Sequence, residues 1–75
     1  MNRKSPENLE KYTQLYEKYK SFLTQTQQQV FELYFYQDLS YQEVSEIMAT
    51  TRTASYDTIK KAIQKLEKID INFSR

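Results

Sequence analysis

SYQEVSEIMATTRTASYDTIKK, residues 40–61, reads as a short helix, a tight turn and the opening of a longer helix. Ser40 followed three positions later by Glu43 forms a capping box, in which hydroxyl and carboxylate each satisfy an orphan backbone amide. Val44, Ile47 and Met48 then recur at helical spacing and are the expected inward positions. Ala49 and Thr50 make the turn, and Thr51 caps a helix expected to run to about Lys68. The inward face of that helix reads Ser55, Ile59, Ala62 or Ile63, and Leu66. A short helix, a three-residue turn and a longer basic helix make a helix-turn-helix pattern, placed here at residues 40–68.

In that pattern the first helix props the second outward, freeing its N-terminal half to enter a major groove. The outward side chains are Arg52, Thr53, Tyr56, Asp57, Lys60 and Lys61. Arg52 could fork onto a guanine or clamp a phosphate. Lys60 and Lys61 would hold phosphates, and Thr51 and Thr53 could donate to the backbone near the helix start. The candidate nucleic-acid-binding set is therefore Thr51, Arg52, Thr53, Tyr56, Lys60 and Lys61, with duplex DNA as a candidate partner. Asp57 opposes it, because a carboxylate there repels phosphate, although it could accept from a cytosine amino group. A net charge of +1 is also small for a nucleic-acid binder. The charge is nevertheless unevenly placed. Residues 37–50 carry only Asp38, Glu43 and Glu46, whereas residues 51–68 carry Arg52, Lys60, Lys61, Lys65 and Lys68 against Asp57 and Glu67. A solvated helix surface is the competing explanation of that cluster.

Working upstream, Ser5 is a helix N-cap with Pro6 at the first helical position and Glu7 at the positive helix end. Leu9, Tyr12, Leu15 or Tyr16, Tyr19 and Phe22 follow as an aromatic stripe. Thr24 and Gln27 form a second capping box, so the glutamine-rich run beside them reads as helix surface. Val30, Leu33 and Tyr34 face inward, and Phe31 and Phe35 widen the apolar arc, which suggests a helix covered on two sides. Gln37, Asp38 and Leu39 connect it to residue 40. Downstream, Ile69, Ile71 and Phe73 form an apolar tail within residues 69–75, either docked or frayed. The expected fold is one all-α domain of four helices spanning residues 1–75, containing the helix-turn-helix.

Composition removes several function classes. The chain has no glycine, which excludes phosphate-cradling glycine loops. It has no cysteine and no histidine, so neither the usual zinc or iron sites nor histidine acid–base catalysis is expected. Glu32, Asp38, Glu43, Glu46 and Asp57 are carboxylates without a nucleophile–base partner, so no enzyme, cofactor or metal is expected. No apolar run approaches the roughly 20 residues of a membrane span, and the charged start lacks a signal-peptide core. Membrane insertion is not expected, and the default location is the cytoplasm. The chain carries seven tyrosines, residues that suit protein interfaces. Tyr12, Tyr16, Tyr19, Phe31 and Phe35 are thus a candidate dimer or partner surface, with core plus dimer seam favoured over stacking on single-stranded bases.

The chain resembles the YlxM-type proteins, small bacterial helix-turn-helix proteins similar to region four of sigma factors. The resemblance rests on Leu23-Thr24, Gln27, Leu33-Tyr34-Phe35, Asp38-Leu39-Ser40, Glu43-Val44, and Thr51-Arg52, Ala54, Tyr56-Asp57, Ile59-Lys60. It covers about residues 9–67. It implies a regulatory or accessory role in the signal recognition particle pathway, since genes of this family typically neighbour those of the particle. It also implies a homodimer, or contact with particle protein or RNA, as alternatives to DNA reading. Family members usually carry valine where Ser55 stands and a hydrophobic residue at Thr50, and they usually extend into a further C-terminal helix.

Overall fold

A computed structural model of the chain describes residues 3–73. It contains α1 (Pro6–Tyr19), a 3₁₀ turn (Lys20–Phe22), α2 (Gln25–Phe31) widening into a π turn (Glu32–Tyr36), α3 (Tyr41–Ile47) and α4 (Arg52–Phe73). No strand is present among the described residues, and the all-α expectation holds. Residues 1, 2, 74 and 75, at the two ends of the expected domain and tail, lie outside the described residues.

Local chemistry starts each helix where expected. The Ser5 hydroxyl accepts from the Asn8 amide, and Pro6 occupies the first turn of α1. Thr24 and Gln27 satisfy each other's amides at the start of α2, and Ser40 and Glu43 do the same for α3. Thr51 accepts from the Ala54 amide at 3.0 Å and opens α4.

α4 is the organising element. Its 22 residues extend about 33 Å at the usual helical rise, and α1, α2 and α3 all pack against it. The buried face is Ser55, Ile59, Ala62, Ile63 and Leu66, so both alternatives at positions 62 and 63 are inside. The helix continues past Lys68 to Phe73, so residues 69–73 are not a separate tail. The Tyr19 hydroxyl donates to Asp70 at 3.0 Å, and the Tyr19 and Phe22 rings meet Phe73, which docks this end of α4 on α1.

Aromatic rings fill the core opposite. Tyr16 stacks on Phe31 with centroids 4.3 Å apart, and Phe31 meets Phe35 at 4.5 Å. Tyr12 and Tyr34 approach Phe35 edge-on, the arrangement that ring quadrupoles favour. The π turn is part of this packing. Its i→i−5 bond from the Gln37 amide to the Glu32 carbonyl spans 3.0 Å. Through it Phe31, Tyr34 and Phe35 are all buried while Tyr36 stays on the rim.

Two expectations about burial are corrected. Ile47, expected inside, is 60 % exposed. The short α3 buries only the sector of Val44 and Ser45 with Met48 beside it, and Ile47 falls outside that arc. Tyr12, Tyr16, Phe31 and Phe35, offered as a dimer or partner surface, are 5 %, 1 %, 0 % and 5 % exposed. Their rings are the core that α1 and α2 share with α4, which leaves them no free face. Tyr19, the fifth of that set, is only partly buried.

A candidate nucleic-acid interface on α3 and α4

The turn between α3 and α4 has a specific geometry. Ala49 takes a left-handed conformation with φ of 55°. The Thr50 amide bonds the Ser45 carbonyl at 2.9 Å and the Ala49 amide bonds the Glu46 carbonyl at 3.4 Å. Together these make a Schellman motif, which closes α3 abruptly. Glycine normally fills such a position, and an alanine there costs about 1–2 kcal/mol in backbone strain. Thr51 then caps α4 at once. The orientation of α4 is fixed by α3 packed along it and by the buried Val44 and Ile59.

This arrangement leaves Thr51, Arg52, Thr53, Tyr56, Asp57, Lys60 and Lys61 all exposed on the N-terminal half of α4. Arg52, Tyr56 and Lys60 succeed each other at four-residue spacing and so form one stripe along the helix. Lys61 and Asp57 pair at 3.0 Å, one turn apart. The carboxylate that argued against phosphate contact is therefore matched locally, and Lys61 contributes less free charge than its position suggested. Neither Arg52 nor Lys60 has an ion pair among the described residues.

The stripe has a neighbour that helical periodicity could not reveal, because it precedes α1. The Lys4 ammonium bonds the Leu39 carbonyl at 2.7 Å and Asp38 at 3.2 Å, and lies 4.1 Å from the Tyr34 ring centre. This pins the N-terminal segment beside α3. Arg3 is thereby carried to the helix-turn-helix. Its guanidinium donates to the Tyr41 hydroxyl at 2.8 Å and lies 4.8 Å from the Tyr56 ring centre. Tyr34 stacks on Tyr41, and Tyr41 meets Tyr56 edge-on at 5.3 Å. Three rings from three elements thus stand in a row with a cation at each end.

At the opposite end of α4, Phe22 and Phe73 are 48 % and 61 % exposed and, with Tyr19, form a small aromatic patch. An open groove of about 940 Å³ follows the polar flank of α1 and reaches Tyr36 and Asp70; no α3 residue lines it. No group of metal-ligating side chains occurs among the described residues. No described helix is long and apolar enough to cross a membrane.

A short capped helix, a Schellman turn and a longer helix with an exposed basic stripe define a helix-turn-helix domain. Residues 7–73 match the family UPF0122, described as "Putative helix-turn-helix protein, YlxM / p13 like", and the chain belongs to that family. It is 42 % identical over 55 residues to a UPF0122 protein of Thermoanaerobacter sp. (strain X514), covering 73 % of this chain and 47 % of that one. It is 39 % identical over 64 residues to a UPF0122 protein of Clostridium perfringens, covering 85 % and 57 % of the two chains. A UPF0122 protein of Clostridium novyi is 54 % identical over 43 residues, covering 57 % and 37 %. The chain thus spans about half the length of the curated relatives it matches. No solved structure matches it.

Proposed function

We propose that this protein is a non-enzymatic nucleic-acid-binding protein that engages duplex DNA through the N-terminal half of α4, as a regulator or accessory of the signal recognition particle pathway. The pathway half of this reading comes from the resemblance to YlxM-type proteins. The DNA half is supported chiefly by the exposed Arg52–Tyr56–Lys60 stripe, whose two cations have no ion-pair partner among the described residues. Cations held off the body by a rigid turn are suited to phosphate contact, and Arg52 lies in the first turn of α4, where the amide ends also favour anions.

The test is a titration of the protein against a short random-sequence DNA duplex over a salt series. Binding should weaken linearly on a log–log plot as salt rises. Arg52→Ala with Lys60→Ala should abolish most of it while the helical circular dichroism is kept. Absence of salt-dependent binding by the folded wild-type protein would sink the DNA reading.

A second reading is a module that dimerises or grips particle protein or RNA without reading DNA. It is favoured by the exposed Phe22 and Phe73 rings at the far end of α4, since exposed aromatic clusters suit protein contacts. Phe73→Asp would then change the oligomeric size or partner capture, whereas Arg52→Ala would change neither.

A further inference from the structure

We infer that Arg3 is a phosphate-contacting residue of the α4 interface, so that the nucleic-acid surface is built from the N-terminal segment as well as from the helix-turn-helix. This rests on the reading of α4 as a nucleic-acid-binding element.

The placement of Arg3 carries the argument. Its guanidinium lies 4.8 Å from the centre of the Tyr56 ring, and Tyr56 is the middle residue of the basic stripe. Arg52 and Lys60 stand one helical turn to either side of that ring, on the same face of α4. Arg3 therefore adds a third positive group beside the aromatic side chain that the stripe carries between its two cations.

The chemistry of the side chain agrees with that placement. A guanidinium has five N–H donors in a planar fork. In this structure one is directed to the Tyr41 hydroxyl, at 2.8 Å. Arg3 makes no ion pair with a carboxylate among the described residues. Contact with Tyr56, ring and hydroxyl, holds the group in place, and the planar fork keeps further donors for a bidentate phosphate contact. Its arm is held independently of any ligand, because Lys4 is tied to the Leu39 carbonyl, to Asp38 and to the face of Tyr34. Lys4 is thus a positioning residue and Arg3 the contacting one. The structure also gives a reason for Tyr56 on an otherwise polar face. It is the platform that receives the arm, with Tyr41 bracing it edge-on.

The experiment is the salt dependence of binding to a short random-sequence DNA duplex, read by fluorescence anisotropy, for wild type, Arg3→Gln, Arg3→Lys and Arg52→Ala. Arg3→Gln should weaken binding about tenfold at low salt and lower the log–log salt slope by about 1, as loss of one phosphate contact does. Arg3→Lys keeps the charge and should keep the slope, which separates phosphate contact from packing of the arm. Should wild type bind and lose slope on Arg52→Ala while Arg3→Gln leaves the slope unchanged, the inference is overturned and the α4 reading survives. Should Arg3→Lys lose as much slope as Arg3→Gln, the arm is structural and the inference again falls. Should folded wild-type protein show no salt-dependent binding, both fall together.

Discussion

Ser55 is the residue at which sequence, packing and family membership disagree most. It lies on the inner face of α4, 1 % exposed, and its hydroxyl oxygen has no hydrogen-bond partner among the described residues. A buried hydroxyl without a partner forfeits its water and gains nothing in return, at a cost of about 1–3 kcal/mol. Ser45, on the facing helix, is 2 % exposed but donates to the Gln42 carbonyl at 2.6 Å. The two serines are therefore a matched pair, one satisfied and one not. Ser55→Ala should raise the stability of the domain by about 1–2 kcal/mol, since it removes the orphan and improves helix propensity. Ser45→Ala should give no such gain. Denaturant midpoints measured for both, with unchanged m-values, check the contrast, and a Ser55→Ala protein no more stable than wild type would refute it. The inward position of Ser55 was legible in the sequence from helical spacing. The strain at Ala49 was not. Among the described residues the two left-handed ones, Asp38 and Ala49, are non-glycine in a chain that has no glycine, so the usual marker of that conformation is missing.

Among the elements, α3 shows how much of a two-turn helix depends on its cap. The Ser40 amide donates to the Glu43 carboxylate at 2.9 Å, and the Glu43 amide donates to the Ser40 hydroxyl at 3.1 Å. The Ser40 backbone amide, followed by its hydroxyl, holds the Glu43 carboxyl below its ordinary value of 4.5. A carboxylate whose pKa is depressed by folding stabilises the fold fully above its unfolded pKa, and that contribution fades as pH falls through the folded value. Glu43→Gln retains the reach-back bond without a titrating group. The melting temperatures of wild type and Glu43→Gln should therefore converge as the pH is lowered from neutral to below about 4. A constant gap across that range would mean the capping carboxylate is energetically idle. Caps of this kind were the most legible part of the chain, because Ser5, Thr24, Ser40 and Thr51 each act through atoms within three residues. The π turn at Glu32–Tyr36 was not legible. The clustered rings of residues 31–36 signalled only a wide apolar arc, and the extra width of the turn goes with tertiary packing against α1 and α3. The end of α4 was misplaced for the same reason, since residues 69–73 stay helical through contact of Tyr19 and Phe22 with Asp70 and Phe73. At the site, the α4 side chains were legible from spacing, whereas Arg3 arrives through a contact 53 positions away in sequence.

For the whole molecule, tyrosine reconciles a small chain with a buried core. A domain of this length buries only about 60 % of its unfolded surface, so large rings are an efficient filling, provided that their hydroxyls find partners. Tyr16 is 1 % exposed as a residue, yet its hydroxyl reaches the Glu32 carboxylate on the π turn. Tyr36 returns the bond in the opposite direction, donating to Glu17 on α1 at 2.8 Å. Burial, and then the bonded carboxylates, push the Tyr16 and Tyr36 hydroxyls well above the ordinary tyrosine range, and burial with the Tyr41 contact does the same to Tyr34. A raised tyrosine pKa favours the neutral form in the fold. The stability it reflects is therefore complete below about pH 10, where the unfolded chain begins to ionise, and is lost above it. Alkaline titration followed by tyrosinate absorbance should show ionisation delayed in the folded protein relative to the same chain in denaturant. The delayed fraction should ionise together with the loss of helical circular dichroism, because the Tyr16 and Tyr36 hydroxyls join α1 to the π turn and Tyr34 joins that turn to α3. Glu32→Gln should advance part of that fraction by removing the charge that faces Tyr16. Ionisation of every tyrosine near pH 10 with the helices intact would mean that these hydroxyl–carboxylate pairs do not tie the aromatic core together.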